Sequence, residues 1–239
     1  MKISPVVAAS AALTLALAVP ASANSGSATA GPLTVTLTVE DVTFTGPDCI
    51  YAPYRVDFSG PGAVEFEAYQ QGSSNTLSGG FSYKYEAGTE IVDDGLFICP
   101  SLDGAGTYFI KGTVEGRNGN DASAPLPSDL SFVVSTASAR MTGLKARQAG
   151  SKLTVKGRAT AESDRGSIGV QSEVTLQGRL SKKAGGKGKW TTLGTAYPNQ
   201  FGAFTFRGRT DQRLKGAEIR AVLTPSSWAG TASASTRVK

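Results

Sequence analysis

The sequence predicts an all-β protein, with two tandem antiparallel β-sandwiches following a cleaved signal peptide. Three observations carry this. Short runs in both halves alternate apolar and polar residues with period 2, Gly/Pro/Asn/Asp clusters punctuate them, and no long amphipathic helical pattern intervenes. Where the first half gives way to the second, the charge changes sign.

Residues 1–23 carry the signal. Lys2 supplies a positive start, residues 6–19 are an apolar run of Ala, Leu and Val, and Ala21, Ser22 and Ala23 form the small-residue pattern cut by signal peptidase. The run is too short to span a bilayer as a helix, and no later stretch is apolar enough to do so. The mature chain is expected to begin at Asn24 and to be exported. Residues 235–239 show no hydrophobic tail or wall-sorting pattern, so the product is expected free outside the cell or held there non-covalently.

Residues 24–32 (NSGSATAGP) are expected to be a mobile leader, since they offer little to bury. Residues 33–39 alternate apolar side chains with Thr, as a half-buried strand does. The same signal recurs at 54–58, 64–69, 81–85, 107–114 and 130–134, with turn clusters at 46–48, 60–62, 72–75 and 103–106. Residues 33–135 thus form an acidic first domain. Residues 118–127 are a loop within it, because 130–134 must still close the sheet. The linker is 136–139.

The second domain, 140–239, repeats the theme. Leu153, Val155, Gly157 and Ala159 share one strand parity, and Lys152, Thr154, Lys156 and Arg158 the other. Val174, Leu176, Gly178 and Leu180 face in, with Gln177 and Arg179 out. After a lysine-rich hairpin loop, Trp190 and Leu193 open the returning strand. A turn at 199–202 leads into 203–209, where Phe204 and Phe206 face in and Arg207 and Arg209 out. Strands at 218–223 and near 232–238 complete the set.

Cys49 and Cys99 are the only cysteines, and an even count in an exported chain reads as one disulfide. Both flank strands, next to Pro47 or Pro100, so the bond is expected to tie loops at one end of the sandwich. Histidine is absent. Ser-His-Asp and Cys-His catalysis are therefore excluded, as are His-containing metal sites. No SxxK motif stands in a strand-to-helix context, and no long loops offer a cleft for a carboxylate pair. The expectation is a protein that is not an enzyme and has no cofactor. Asp93 and Asp94 before Gly95, with Asp103 and Asp48, are candidate calcium ligands in turns. Their spacing is not that of an EF-hand, and turn chemistry explains Asp-Gly equally well.

Charge is the feature that speaks to function. From Thr136 onward there are 19 Lys and Arg against 5 Asp and Glu, and before it 5 against 14, so the halves carry +14 and −9. Lys152, Lys156, Arg158, Arg179, Arg207, Arg209 and Arg220 fall on outward strand parity, and the loop adds Lys182, Lys183, Lys187 and Lys189. Three readings stand. The cations solvate exposed faces, or the acidic domain docks on the basic one, or a sheet face and one loop form a continuous surface for an anionic polysaccharide or teichoic-acid-like polymer. No recognition helix or RNP-like aromatic pair points to specific nucleic-acid binding. Trp190 and Tyr197 are placed to stack on sugars, but Trp190 beside inward Leu193 also reads as core.

Residues 174–177 (VTLQ), 189–194 (KWTTLG) and 202–206 (GAFTF) resemble the Ig-like β-sandwich modules of exported Gram-positive proteins. The likeness covers roughly residues 140–239. In the first domain, 103–108 (DGAGTY) resembles the turn-then-Tyr opening of the penultimate strand in immunoglobulin-like domains. The resemblance implies tandem Ig-like sandwiches, a Tyr108 hydroxyl bonded back to the corner, and a spacer, adhesion or carbohydrate-contacting role.

Overall fold

A computed structural model describes residues 23–70, 81–85, 90–117, 122–163, 166–179, 188–210 and 214–239. All regular structure among them is β-strand. Residues 1–22 of the signal region lie outside the described residues. No helix among those described is long and apolar enough to cross a membrane.

The first sandwich comprises β1 (Ala23–Ala30), β2 (Leu33–Glu40), β3 (Val42–Thr43), β4 (Ile50–Phe58), β5 (Gly62–Gln70), β6 (Phe81–Tyr85), β7 (Glu90–Ile98), β8 (Gly106–Gly116), β9 (Ser123–Pro125) and β10 (Ser131–Ser135). One sheet runs β1-β2-β4-β7. The other runs β3-β10-β8-β5-β6, with β9 on β8. Short β3 pairs parallel to β10, and the other pairings are antiparallel. The chain crosses between the sheets at each step from β2 to β5 and again from β6 to β8, as in immunoglobulin-like sandwiches. Period-2 alternation sends Val35, Leu37, Val39, Val56, Phe58, Val64 and Phe66 into an apolar core between them.

Two expectations are corrected here. Residues 24–32 are not a loose leader, because most of them form β1, an edge strand paired along β2. Its small residues still alternate. Ala28 and Ala30 are buried, while Ser25, Ser27 and Thr29 line up with Thr38, Thr36 and Thr34 in a ladder of hydroxyl hydrogen bonds of 2.8–3.1 Å. Asp93 and Asp94 do not sit in a turn but within β7, opposite Arg55 and Tyr54.

Cys49 and Cys99 are bonded. They stand just outside β4 and β7, one step beyond the Ile50–Ile98 pair, and tie one end of a single sheet. Nearby, Asp103 accepts a hydrogen bond from the Cys99 N–H (2.7 Å) and so fastens the following turn. The Tyr108 hydroxyl shares its proton between the carbonyls of Asp103 and Gly104 (2.6 and 2.8 Å), which is the corner expected from the sequence. Burial first, and the Asp103 carboxylate second, push its pKa up to about 12.

β10 ends at Ser135, and Ala137 is buried in the short connection. Its N–H bonds to the Trp228 carbonyl (2.8 Å) and its carbonyl accepts from Gly230 (2.9 Å), so the link is fastened to the second sandwich.

That sandwich comprises β11 (Ala139–Ala149), β12 (Lys152–Ser163), β13 (Gly166–Gly169), β14 (Val174–Arg179), β15 (Thr191–Ala196), β16 (Ala203–Arg209), β17 (Glu218–Leu223) and β18 (Ala232–Arg237). In one sheet β12 pairs with β11, β13 and β16, and the other runs β15-β14-β17-β18. Leu153, Val155, Ala159, Val174, Leu176, Phe204, Ile219, Ala221 and Leu223 fill the space between. Phe204 packs directly over residue 157, which is glycine. A Cβ there would stand 2.6 Å from its ring. The buried tryptophan is Trp228, not Trp190.

Candidate polyanion-binding face

The register of three strands builds the site. On the outer side of the β11-β12-β16 sheet, Lys145 stands opposite Lys156, and Lys152 opposite Arg209. Thr154 lies between Arg147 and Arg207, and Arg158 lies between Thr142 and Ala203. All seven cations are exposed. Strands about 4.8 Å apart and same-face residues about 6.8 Å apart along a strand put neighbouring charges within a Debye length of ~8 Å. Like charges directly opposite each other destabilise a sheet. Among the described residues, none of the seven makes an ion pair, and the nearest pair on this sheet is Arg140–Glu162 (3.1 Å) toward one end.

β18 continues the face around the sheet edge. Ala146 and Val238 form a parallel bridge, reinforced by Lys239 N–H to the Ala146 carbonyl (3.1 Å) and Gln148 N–H to the Lys239 carbonyl (3.3 Å). Val238 is buried, so Arg237 and Lys239 point outward beside Lys145 and Arg147. Just before the bridge, β11 bulges between Thr142 and Lys145, with Gly143 at φ 62°. Bulges bend an edge strand. Here a trough of about 590 Å³ lies along it, with Leu144 and Ala146 among its apolar lining. Its polar lining is Lys145, Arg147, Lys156, Arg237 and Lys239 with the hydroxyl residues Thr154 and Thr236.

Of the residues expected from the sequence, Lys152, Lys156, Arg158, Arg207 and Arg209 share this face. Arg179 and Arg220 do not. They lie on β14 and β17, in the opposite sheet, whose outer side looks the other way. Both are also occupied. Arg179 donates from its Nε and a terminal guanidinium nitrogen to Glu218 (2.9 and 2.6 Å), and Arg220 donates likewise to Gln177 (3.1 and 2.5 Å). Each guanidinium stands 4.5 Å from the Trp190 ring centroid, which makes this half-buried tryptophan a surface clamp rather than core. Strand parity separates inside from outside, but it does not tell one sheet's exterior from the other's.

Lys189 is exposed beside that clamp. Lys182, Lys183 and Lys187 lie outside the described residues. Sequence reasoning missed Lys145, Arg147, Arg237 and Lys239. The signal was present in Leu144, Ala146 and Gln148 alternating with Lys145 and Arg147, but only one strong apolar residue marks it.

Among the described residues, no group of three or more His, Cys, Asp or Glu is arranged to hold a metal ion. Of the calcium candidates, Asp103 is used as a turn cap, Asp93 and Asp94 lie in β7, and Asp48 is exposed before Cys49. The ion pairs Arg55–Asp57, Arg140–Glu162 and Arg179–Glu218 each lie inside one sandwich. At one end of the second sandwich Tyr197 is exposed and donates to Glu173 (2.8 Å), a bond that raises its pKa.

Fold and site together define a pair of immunoglobulin-like β-sandwiches, the second with one cationic sheet exterior. No family model matches the chain, and no curated protein matches it. Among solved structures the chain is similar to Escherichia coli alpha-2-macroglobulin activated by porcine elastase, at 10% identity and a TM-score of 0.29. That similarity covers 87% of this chain but only 23% of the other.

Proposed function

We propose that this is a non-enzymatic, exported protein that holds an anionic envelope or extracellular polymer, a polysaccharide or teichoic-acid-like chain, on the β11-β12-β16 exterior. The observation that carries this is the pairing of like charges: Lys145 against Lys156 and Lys152 against Arg209. Solvation alone does not require cations to face each other across a ladder. A bound polyanion relieves that repulsion, and the hydroxyls of Thr154 and Thr205 between the charges supply neutral donors. A pairwise bond between the two cysteines suits an oxidising compartment, and residues 1–23 supply an export signal. The resemblance to Ig-like modules of exported Gram-positive proteins supports a contact role at the cell surface.

The test is co-sedimentation of the full mature chain with cell-wall preparations across a salt series. Binding at 50 mM salt (on the order of) should fall steeply as salt rises. A Lys145→Gln/Lys156→Gln/Arg207→Gln variant should bind more weakly, with a salt slope shallower by about 2. Absence of binding at low salt, or binding indifferent to these three charges, removes the proposal.

A further inference from the structure

An exposed aromatic stands in the turn that leads into β16, one of the strands of the cationic face. β16 begins at Ala203, opposite Arg158, and the turn before it carries Phe201, 64% exposed. The turn is fastened on every side. The Asn199 side-chain carbonyl accepts from the N–H groups of Phe201 and Ala203 (3.0 and 3.1 Å). The Gly202 N–H bonds to the Asn199 carbonyl (2.7 Å), and the Gly202 carbonyl accepts from Ala159 in β12 (2.9 Å). Gly202 has φ 76°, and a Cβ there would stand 1.9 Å from the Ala159 carbonyl oxygen. Gly169 presses on the same turn, where its Cβ would stand 2.5 Å from the Phe201 carbonyl carbon. A large apolar ring is thus exposed on a turn whose backbone is fixed, two residues before Ala203, the strand partner of Arg158.

We infer that Phe201 is a stacking platform for a sugar ring of the bound polymer, so that the ligand is an acidic polysaccharide rather than a polyanion with an aliphatic backbone. This rests on the polyanion reading of the face and specifies its ligand. Cations alone select charge and are indifferent to what carries it. A rigid aromatic at the rim adds a preference for a flat, partly apolar C–H surface, which a pyranose face supplies between its charged groups. A ring held by its turn loses little conformational freedom on binding. Contact along the face then alternates two modes, ring on ring at the turn and carboxylate or sulfate on Arg158, Lys156 and the trough.

The experiment compares two carboxylate polymers on the full mature chain, polygalacturonate and a polyacrylate diluted with acrylamide units to the same charge density and length. Phe201→Ala should weaken polygalacturonate binding roughly three- to tenfold. It should leave polyacrylate binding and the melting temperature unchanged, and Phe201→Trp should restore the first. Equal effects of Phe201→Ala on both polymers, or none on either, overturn the stacking assignment while leaving the polyanion reading intact. A parent chain that binds neither polymer at low salt overturns that reading itself. Single-stranded DNA losing as much affinity as polygalacturonate on Phe201→Ala would assign the platform to bases and overturn the sugar.

Discussion

Tyr108 shows how one side chain closes a sandwich corner. Its ring stacks on Phe132 at 5.4 Å, 1% of its surface remains exposed, and its hydroxyl reaches back to the Asp103 and Gly104 carbonyls. Because its pKa is pushed up to about 12 from the ordinary 10.0, the folded state keeps a proton that the unfolded state gives up first. The corresponding stability is therefore fully present below pH 10 and is lost as pH rises from 10 to 12. Tyr108→Phe keeps the ring and removes both the hydrogen bond and the titration. It should cost about 1 kcal/mol at pH 7, since the two carbonyls are half-exposed and can be rehydrated. The alkaline decline between pH 10 and 12 should become shallower. Denaturant unfolding of both proteins at pH 7 and along that alkaline window checks the two effects separately. An unchanged alkaline limb would place the titration elsewhere.

Among elements, β12 is the one on which function and stability pull against each other. Its inward residues Leu153, Val155 and Ala159 build the core, while outward Lys152 meets Arg209 across the β16 ladder and Lys156 meets Lys145 across the β11 ladder. Lys156→Glu turns the Lys145–Lys156 repulsion into an attraction. It should stabilise the second sandwich by roughly 0.2–1 kcal/mol while weakening polymer binding, since it removes one cation and adds an anion. Thermal unfolding and sedimentation on the same variant read out both. A destabilised Lys156→Glu protein would show that the lysine serves the fold. Strands such as β2, β12 and β16 were legible in the sequence because strongly apolar residues alternate there with Thr or cations. β1 was not, as Ala28 and Ala30 bury too little surface for their period to stand out from a Gly/Ser leader. β7 was missed because Asp93, Asp94 and Gly95 are turn formers by composition, and only pairing with β4 holds them extended. The candidate face was half legible. Parity marked its outward cations, but Arg179 and Arg220 needed the sheet order to be set aside, and Arg237 and Lys239 needed the closure of β18 on β11 to be included.

The whole molecule separates two tasks between its sandwiches. The first carries the covalent tie and a charge of −9 over residues 1–135, and the second carries +14 and the paired cations. On the proposed reading, an anionic polymer is repelled by one sandwich and drawn to the other, over the ~8 Å reach that salt permits. Every residue assigned to the cationic face lies between Arg140 and Lys239, whereas Cys49 and Cys99 pin only the end of the β4-β7 ladder. The disulfide closes a loop with a sequence separation of 50, and in the chain-entropy account its loss costs up to about 4 kcal/mol. A Cys49→Ser/Cys99→Ser variant should thus unfold earlier in the transition that belongs to the first sandwich. Under conditions where that variant remains folded, its affinity for the polymer should stay within about twofold of the parent, a difference of less than ~0.5 kcal/mol. Paired calorimetric scans and sedimentation isotherms at one salt concentration test this. A fall in polymer affinity that tracked the loss of stability would mean that the acidic sandwich itself shapes the binding face, and the division of tasks would have to be abandoned.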